Sequence, residues 1–209
     1  MSQSFFILGA GGHAKVVVDV LLQRGQTHLH IFDDHPAKLN TTLLGYKVEG
    51  SQQDLLYAYS QNNTVQVIIA VGQNETRQSI YEVLLAHGIK FGNAIHPHVV
   101  IAPSVRLGQG LMIMAGVVIN PDVTIADSVI VNTGAVVEHD CVIGAHSHIA
   151  PNATLCGDVR VGESTLIGAG AIILPGIKIG SSCTIGAGAV VTQDIPDGKT
   201  AVGIPAHLT

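Results

Sequence analysis

The sequence contains no tryptophan, and only 4% of its residues are aromatic. A core built around large rings is therefore excluded, although 47% of the residues are hydrophobic. Val, Ile and Ala must fill the interior instead. Such side chains suit a narrow stacked structure better than a wide globular core.

Charged residues are also few, at 12%, and the formal net charge is −5. This balance provides no basic field for nucleic acid or anionic lipid, so neither partner is expected. No apolar run approaches the ~18 residues of a membrane span, and the first residues lack the basic segment and cleavage site of a secretory signal. We therefore expect a cytoplasmic protein without membrane insertion.

Cysteine is scarce as well, with three residues in the chain, Cys141, Cys156 and Cys183. None of them forms a C-x-x-C spacing, and two fall at a position where the repeat described next points inward. We interpret all three as reduced thiols of the core.

What the sequence does contain is a six-residue repeat that runs without a change of phase through its C-terminal half. The repeated position is always Ile, Leu or Val: Ile95, Ile101, Leu107, Ile113, Ile119, Ile125, Val131, Val137, Ile143, Ile149, Leu155, Val161, Ile167, Ile173, Ile179, Ile185 and Val191. Neither a helix nor a strand has this period. The pattern is typical of a parallel β-helix, in which each hexad supplies one strand and one corner and three hexads form a triangular coil. We predict that these anchors stack inward, with glycines easing the corners.

The N-terminal part shows the pattern of a small α/β domain. A strand from Ser4 to Leu8 leads into Gly9-Ala10-Gly11-Gly12-His13-Ala14, and an amphipathic helix follows as far as Arg24. The turn fits G-x-G-x-x-G/A, in which glycines let main-chain amides approach a phosphate at a helix N-terminus.

Two acidic residues follow the glycine turn at a suggestive distance. Asp33 and Asp34 end the second strand about 20 residues after the turn, where a ribose hydroxyl would be bound. A third strand, 65–71, ends at the same sheet edge, and a helix is expected from about Glu75 to His87. Only half of a dinucleotide fold is present, which favours one nucleotide over NAD. A plain tight turn and a solvated strand end remain alternatives.

These patterns predict two domains with no flexible linker between them. Residues 1–94 would form a Rossmann-like half domain that binds a nucleotide sugar. Residues 95–209 would form a left-handed parallel β-helix with a short C-terminal tail, since Ala94-Ile95-His96-Pro97 starts the repeat directly.

A polar cluster interrupts the middle of the repeat. Asn132, Glu138, His139 and Asp140 are followed by His146 and His148, at corners that elsewhere carry small residues. A histidine beside a carboxylate is a sound general base, so His139 with Asp140 is the first candidate. One coil further on lies Gly157, which we interpret as open space beside His139.

Other interpretations of the cluster remain open. These histidines could be ordinary surface residues, or His139, His146 and His148 could ligate zinc as in a γ-type carbonic anhydrase. Cys141 suggests a covalent acetyl-enzyme, but a buried thiol would be inert.

Five segments carry a resemblance to a known family: GAGGHAKVV, the Asp-Asp strand end, NAIHP, NTGAVVEHDCVIG and the terminal VGIPA. Together they resemble bacterial nucleotide-sugar N-acetyltransferases of the hexapeptide-repeat superfamily, of the type that acts in the bacillosamine pathway and on GDP-perosamine. Sialic acid O-acetyltransferases are more distant. The resemblance covers essentially the whole chain.

The resemblance implies an acetyl-CoA-dependent transfer to the 4-amino group of a nucleotide-linked 4-amino-4,6-dideoxy sugar, for surface glycan biosynthesis. UDP is favoured over GDP because of the Asp33-Asp34 pair. No metal is implied. A homotrimer is expected, with His139 at a subunit boundary. The alternatives are an O-acetyltransferase of the sialic acid type and a non-catalytic nucleotide-sugar binding protein.

The resemblance also assigns roles to individual residues. The catalytic pair would be His139, as general base, and Asp140, as its acidic partner. The nucleotide-linked sugar would contact Gly9, Gly11, Gly12, His13, Asp33, Asp34 and Asn132. Acetyl-CoA would contact His148, Gly157, Ile167 and Gly188. His207 departs from the lysine that is common in relatives, which removes a basic contact to CoA phosphate at that position.

Overall fold

The computed structural model describes residues 3–209, so the first two residues of the predicted N-terminal domain lie outside the described part. The chain forms an α/β unit followed by a long parallel β-helix. No helix within residues 3–209 is long and apolar enough to cross a bilayer.

The α/β unit is a five-stranded sheet with helices on both faces. Its elements are β1 (Ser4–Leu8), α1 (Gly12–Gln23), β2 (His28–Phe32), β3 (Thr42–Leu43), β4 (Tyr46–Gly50), α2 (Gln52–Gln61), β5 (Gln66–Ile69) and α3 (Asn74–Ala86), with a short 3₁₀ turn at Pro36–Lys38. The strand order is β3-β4-β2-β1-β5, and only β3 runs antiparallel to its neighbour. The ends of β1, β2 and β5 therefore meet at one edge, as the sequence predicts.

Strands β3 and β4 and helix α2 were not predicted from the sequence. The two strands form a hairpin at the edge of the sheet, and the first is only two residues long. Helix α2 did carry a recognisable signal, because Ser51 and Asp54 form a reciprocal capping box at its start.

The repeat forms seventeen two-residue strands, one in each hexad. They are β6 (Ala94–Ile95), β7 (Val100–Ile101), β8 (Arg106–Leu107), β9 (Met112–Ile113), β10 (Val118–Ile119), β11 (Thr124–Ile125), β12 (Ile130–Val131), β13 (Val136–Val137), β14 (Val142–Ile143), β15 (His148–Ile149), β16 (Thr154–Leu155), β17 (Arg160–Val161), β18 (Leu166–Ile167), β19 (Ile172–Ile173), β20 (Lys178–Ile179), β21 (Thr184–Ile185) and β22 (Val190–Val191). Strands β23 (Thr200–Gly203) and β24 (Ala206–Leu208) end the chain as a hairpin.

Every third strand pairs in parallel, and this gives the prism three faces. We call the sheet from β6 through β9, β12, β15 and β18 to β21 the covered face, because the α/β unit packs on it. The sheet from β7 to β22 is the apolar face, since Val100, Val118, Val136, Thr154, Ile172 and Val190 point outward from it. The sheet from β8 to β20 is the charged face, with Arg106, Arg160 and Lys178 pointing outward.

The interior of the prism contains only small and aliphatic side chains. The anchors from Ile113 onward are buried, whereas Ile95, Ile101 and Leu107 at the open end are partly covered. A second buried row comes four residues after each anchor, and it includes Cys141 and Cys183. The prediction of core thiols holds for these two, but Cys156 is only half-buried at a corner.

The corners depend on a feature that the sequence analysis did not identify. From Gly110 to Gly188, the third residue after every anchor has a positive φ angle, and at eight of these corners it is not glycine: Asp122, Ser128, Asp140, His146, Asn152, Asp158, Ser164 and Ser182. Short polar residues tolerate this conformation best. The glycines that directly follow anchors serve another purpose, because a Cβ at Gly144 would come within 2.6 Å of the next coil.

The α/β unit docks on the covered face through α1 and the buried side of its sheet. Met112, Met114 and Ile130, which point outward from the prism, join Val17 and Ile7 in one buried cluster. Helix α3 lies along the corner between the charged and covered faces, where Tyr81 donates a hydrogen bond to Asp127. The two units therefore share a continuous apolar interface.

This packing predicts a sharp contrast between neighbouring residues of β14. Ile143→Ala removes a fully buried anchor and should lower the free energy of unfolding by about 2–5 kcal/mol. Val142→Ala, on the outward side of the same strand, should cost less than about 1 kcal/mol. Chemical denaturation of both variants at one protein concentration checks this, and equal losses would contradict the inward assignment.

Candidate active site

His139 and Asp140 lie at the corner between the apolar and charged faces, in the turn from β13 to β14. The Nδ1 atom of His139 is 2.8 Å from Oδ2 of Asp140, and both side chains are exposed. Asp140 has the positive φ angle of its corner, 64°, so the turn itself aims its carboxylate back at the ring. The Nε2 atom of His139 is left free to take a proton.

Gly157 lies beneath the imidazole ring, one coil further along the same corner. A Cβ there would come within 2.6 Å of Cε1 and 2.7 Å of Nε2 of His139. The space that we predicted beside His139 is thus occupied by the ring itself. Glycine at this position lets the imidazole lie flat against the prism, within reach of Asp140.

The pKa of His139 is raised above its ordinary value. The hydrogen bond that His139 donates to Asp140 is the main cause, and the negative charges of Asp140, Glu138 and Asp158 act in the same direction. The raised pKa strengthens the neutral imidazole as a base. It also means that the protonated form persists to higher pH than for a free histidine.

Cys141 follows this pair but is chemically separate from it. Its thiol is buried inside the prism and hydrogen-bonds the carbonyl oxygen of Cys156. Burial raises the pKa of the Cys141 thiol to about 11. A thiol in this state is a poor nucleophile, so the geometry favours direct transfer over a covalent intermediate.

A second cluster lies where the covered face meets the α/β unit. Asn132 and His148 lie 3.1 Å apart through Nδ2 and Nε2, and the rings of His148 and His13 are 6.4 Å apart. Nε2 of His13 is 3.3 Å from the sulfur of Met112. The structure thus brings together three of the predicted ligand residues, one from the glycine turn and two from the prism.

Both histidines of this cluster are neutral at physiological pH. Burial lowers the pKa of His13 and of His148 to about 4, and the positive charge of Arg77 adds to the effect. They differ in this respect from His139, which is exposed and paired with an acid. His139 is therefore suited to exchanging protons, whereas His13 and His148 are suited to fixed hydrogen bonds.

His146 is not the surface residue considered above. It is buried at the corner between the charged and covered faces, with its ring edge-on to Tyr81 at 5.1 Å. The three histidines His139, His146 and His148 occupy two different corners and a face, so they do not converge within one chain. Within residues 3–209, no group of three or more His, Cys, Asp or Glu side chains is placed to hold a metal ion.

The acidic residues that we expected at the ribose hold two main-chain segments at the sheet edge, and Asp33 holds the glycine turn. Oδ2 of Asp33 accepts a hydrogen bond from the amide of Ala10 at 2.6 Å, and Oδ1 accepts one from the amide of His35. Asp34 accepts one from the amide of Gln52 at the start of α2. These carboxylates therefore shape the sheet edge, although each oxygen still has a free lone pair.

The turn itself combines one constrained glycine with two open ones. A Cβ at Gly9 would meet the carbonyl oxygen of Ala70 at 2.8 Å, and its φ of 115° also requires glycine. Gly11 and Gly12 have no atom near the Cβ position, and α1 begins there without a capping side chain. The first amides of the helix are therefore available to an anion.

A cavity of about 420 Å³ opens beside this turn, and the sequence analysis missed two of its residues. Lys15 and Lys38 line it together with Gly11, Gly12 and Thr41. Two cations next to free helix amides suit a diphosphate. Lys15 could have been noticed, since it follows the glycine turn directly, but Lys38 is placed there only by the fold.

The residues predicted to contact acetyl-CoA are not brought together in one chain. Gly157 lies at the corner between the apolar and charged faces, whereas Gly188 lies at the corner between the covered and apolar faces. Ile167 is a fully buried anchor, so its side chain cannot contact a ligand. The contact of Ile167 with acetyl-CoA stays a prediction, which only its main chain is placed to make.

Family models match both parts of the chain. Residues 4–84 match the PglD N-terminal domain, and residues 122–157 and 158–193 match the bacterial transferase hexapeptide model of six repeats. The fold and the histidine corner together thus define a hexapeptide-repeat transferase with a left-handed β-helix.

Solved structures define the class more closely. PerB from Caulobacter crescentus, in complex with CoA and GDP-perosamine, is 43% identical, with a TM-score of 0.92 over 99% of this chain and 97% of that one. The acetyltransferase domain of PglB from Neisseria gonorrhoeae is 38% identical, with a TM-score of 0.93 over all of both chains. This chain belongs to the bacterial nucleotide-sugar N-acetyltransferases, a family of acetyl-CoA-dependent enzymes.

A curated relative matches over a shorter stretch. The UDP-N-acetylbacillosamine N-acetyltransferase of Bacillus subtilis is 38% identical over 111 residues, which is 52% of this chain and 50% of that protein. The match therefore spans about half the length of that relative.

The geometry predicts how the pKa of His139 responds to its neighbours. Asp140→Asn removes the hydrogen-bonded charge, so the pKa of His139 should fall, and the ring should lose its proton at lower pH than in the wild type. NMR titration of the imidazole measures this directly. Asp158→Asn is the matched control, because it removes a nearby charge that makes no hydrogen bond to the ring; an equal fall in both variants would contradict the assignment.

Proposed function

We propose that this chain transfers the acetyl group of acetyl-CoA to the 4-amino group of a nucleotide-linked 4-amino-4,6-dideoxy sugar, with His139 as the general base. The observation that carries the proposal is the His139 corner, where Asp140 orients the ring and Nε2 is free. The likeness to an enzyme in complex with CoA and GDP-perosamine, over nearly all of both chains, supports the same chemistry.

The reaction needs one proton transfer and no covalent enzyme intermediate. The neutral amine attacks the thioester carbonyl carbon, a C–N bond forms, and the C–S bond breaks as the tetrahedral oxyanion collapses. His139 takes the proton that the nitrogen loses and can return it to the departing thiolate. In this proposal a main-chain amide at a corner donates to the oxyanion.

The α/β unit would hold the nucleotide. In this proposal the diphosphate lies between the first turn of α1 and Lys15 and Lys38, with Asp33 and Asp34 at the nucleoside. The acid pair favours UDP, while the full-length likeness to a GDP-perosamine enzyme supports GDP. We infer that the division between residues 1–94 and 95–209 separates binding of the nucleotide from transfer of the acetyl group.

A single chain does not complete this site. His139 lies at one edge of the apolar face, and Asn132 lies at the opposite edge of it, with His148 beyond on the covered face. The outward side chains between these edges are aliphatic apart from Thr154, and Val100 and Ile172 are 64% and 40% exposed. Burying this face removes the exposed apolar area and brings both edges to an interface.

A cyclic trimer achieves this arrangement. If the apolar faces of three chains turn toward a common axis, one edge of each face meets the opposite edge of its neighbour. His139 of one subunit would then lie beside Asn132 and His148 of the next. We therefore propose a homotrimer with a site at each of its subunit boundaries, where acetyl-CoA lies between two prisms.

A thiol-release assay tests the reaction. Acetyl-CoA is combined with UDP- and GDP-linked 4-amino-dideoxy sugars and with free sialic acid, using wild type and His139→Ala. Release with a 4-amino sugar nucleotide should fall about 100-fold or more in the variant, because the base is lost. The panel also identifies the nucleotide.

Each other outcome rejects a specific part of the proposal. Reaction with sialic acid alone would make the protein an O-acetyltransferase. Full activity of His139→Ala would place the base elsewhere. Binding of nucleotide sugars without thermal stabilisation by acetyl-CoA would indicate a non-catalytic binding protein, and stoichiometric zinc with hydratase activity would favour the metal interpretation.

Complementation tests whether the site is shared between subunits. His139→Ala and the double variant Asn132→Ala/His148→Ala should each be inactive alone. Coexpressed in equal amounts, they should recover about a quarter of wild-type activity, since that fraction of boundaries receives both intact halves. If one chain carried the whole site, no recovery would occur.

A further inference from the structure

Arg77 is a fully buried arginine that no part of the proposed mechanism uses. It lies on α3 and is 0% exposed. Its guanidinium group donates to six oxygen atoms, five of them main-chain carbonyls: Ser128 at 3.0 Å, Val71 at 3.1 Å, Gly72 at 3.1 Å, Asn74 at 2.9 Å, His146 at 2.6 Å and Ser147 at 3.3 Å. These acceptors come from the loop after β5, from the first residue of α3 and from two coils of the prism.

The charge of Arg77 is not neutralised by an acid. Within residues 3–209 its guanidinium makes no salt bridge. Burial lowers the pKa of Arg77 to about 10, which still leaves it charged at neutral pH. A buried cation is costly unless its neighbours satisfy it fully, so six neutral acceptors indicate a specific arrangement rather than incidental packing.

Two of the hydrogen bonds of Arg77 hold the main chain immediately before His148. The carbonyl groups of His146 and Ser147, which immediately precede it, are both held by Nη2 of Arg77. The carbonyl of Gly72, held by Nη1, also faces the His148 ring closely enough to raise its pKa, against the lowering by burial. Arg77 thus fixes both the main chain that carries His148 and a carbonyl group that faces its ring.

The hydrogen bonds also define the tautomer of His148. Oδ1 of Asn132 accepts from the amide of Thr133 at 2.8 Å, so its Nδ2 group donates to Nε2 of His148. Because Nε2 accepts this hydrogen bond, the neutral ring must carry its proton on Nδ1. The second hydrogen of the Asn132 amide remains free for a ligand.

We propose that Arg77 is a positioning residue that sets the orientation and tautomer of His148, and through it the Asn132 amide that meets the amino sugar. This inference rests on the proposed function for the identity of the ligand. The arrangement of Arg77, Gly72, His148 and Asn132 stands independently of it. A merely structural arginine would hold the two units together without affecting the ring.

The test compares Arg77→Lys with wild type by two independent measurements. Lysine keeps the charge but donates only three hydrogen bonds from one atom, so it cannot hold all six oxygens. Long-range ¹⁵N–¹H NMR of the imidazoles should show His148 only as the Nδ1–H form in wild type and as a mixture in the variant. The kcat for acetyl transfer should fall about tenfold or more, because a misplaced His148 no longer holds the reacting groups in position.

The matched control is Arg106→Lys, on the exposed charged face, which should leave both measurements at their wild-type values. A folded Arg77→Lys with an unchanged His148 spectrum and unchanged kcat would overturn the proposal. So would a wild-type spectrum with the proton on Nε2, which needs no variant.

Two further measurements test the role of Arg77 even if the variant does not fold or the proposed function fails. If Arg77→Lys does not fold, Asn74→Ala removes one oxygen that orients the guanidinium and should produce a smaller change in the same spectrum; no change would count against the proposal. If wild type acetylates no member of the panel, the proposed function fails, while the spectrum still decides the role of Arg77.

Discussion

The parallel register of the prism is the constraint on which the rest of the structure depends. Each strand pairs with the strand three hexads away, as Val118 does with Val136 and Val136 with Thr154. An anchor is covered only when the coils on both sides are present, so burial accumulates along the axis rather than around a centre. One slip of phase would expose every anchor beyond it, which explains why the repeat is unbroken.

The same register produces the chemistry of the histidine corner. A prism of this kind repeats its geometry every coil, so a reactive group must come from a change of residue type at a fixed place. At the corner of His139, the residue with the required positive φ is an aspartate, Asp140. The residue one coil beyond His139 itself is a glycine, Gly157. As a result, the ring of His139 is exposed and paired with an acid, while the main chain there hardly differs from that of the neighbouring coils.

The histidines of the covered face differ from His139 in protonation, because the α/β unit removes water from that face. His13 and His148 are half-buried there near the cation of Arg77 and remain neutral, whereas His139 at the open corner is pushed toward protonation. One chain therefore carries two kinds of histidine on two sides of the apolar face. Assembly around that face is what would combine the base of one subunit with the fixed hydrogen-bonding groups of another.

The sequence by itself determined the elements that local patterns encode. The phase of the repeat placed all seventeen strands, and the glycine turn placed β1 and the start of α1, because period and turn chemistry are properties of neighbouring residues. The pairing of His139 with Asp140 also followed, since adjacent residues at a corner must lie close. The resemblance to nucleotide-sugar N-acetyltransferases rested on the same local motifs.

Only the tertiary structure decided what depends on contacts between distant segments. It buried His146, showed that Asp33 holds the glycine turn, and added Lys38 to the cavity. It also brought Arg77 to carbonyl groups as far as 70 positions away in the chain. The physical reason is that burial and hydrogen bonding belong to the packed surface, and no local pattern states which surfaces will meet.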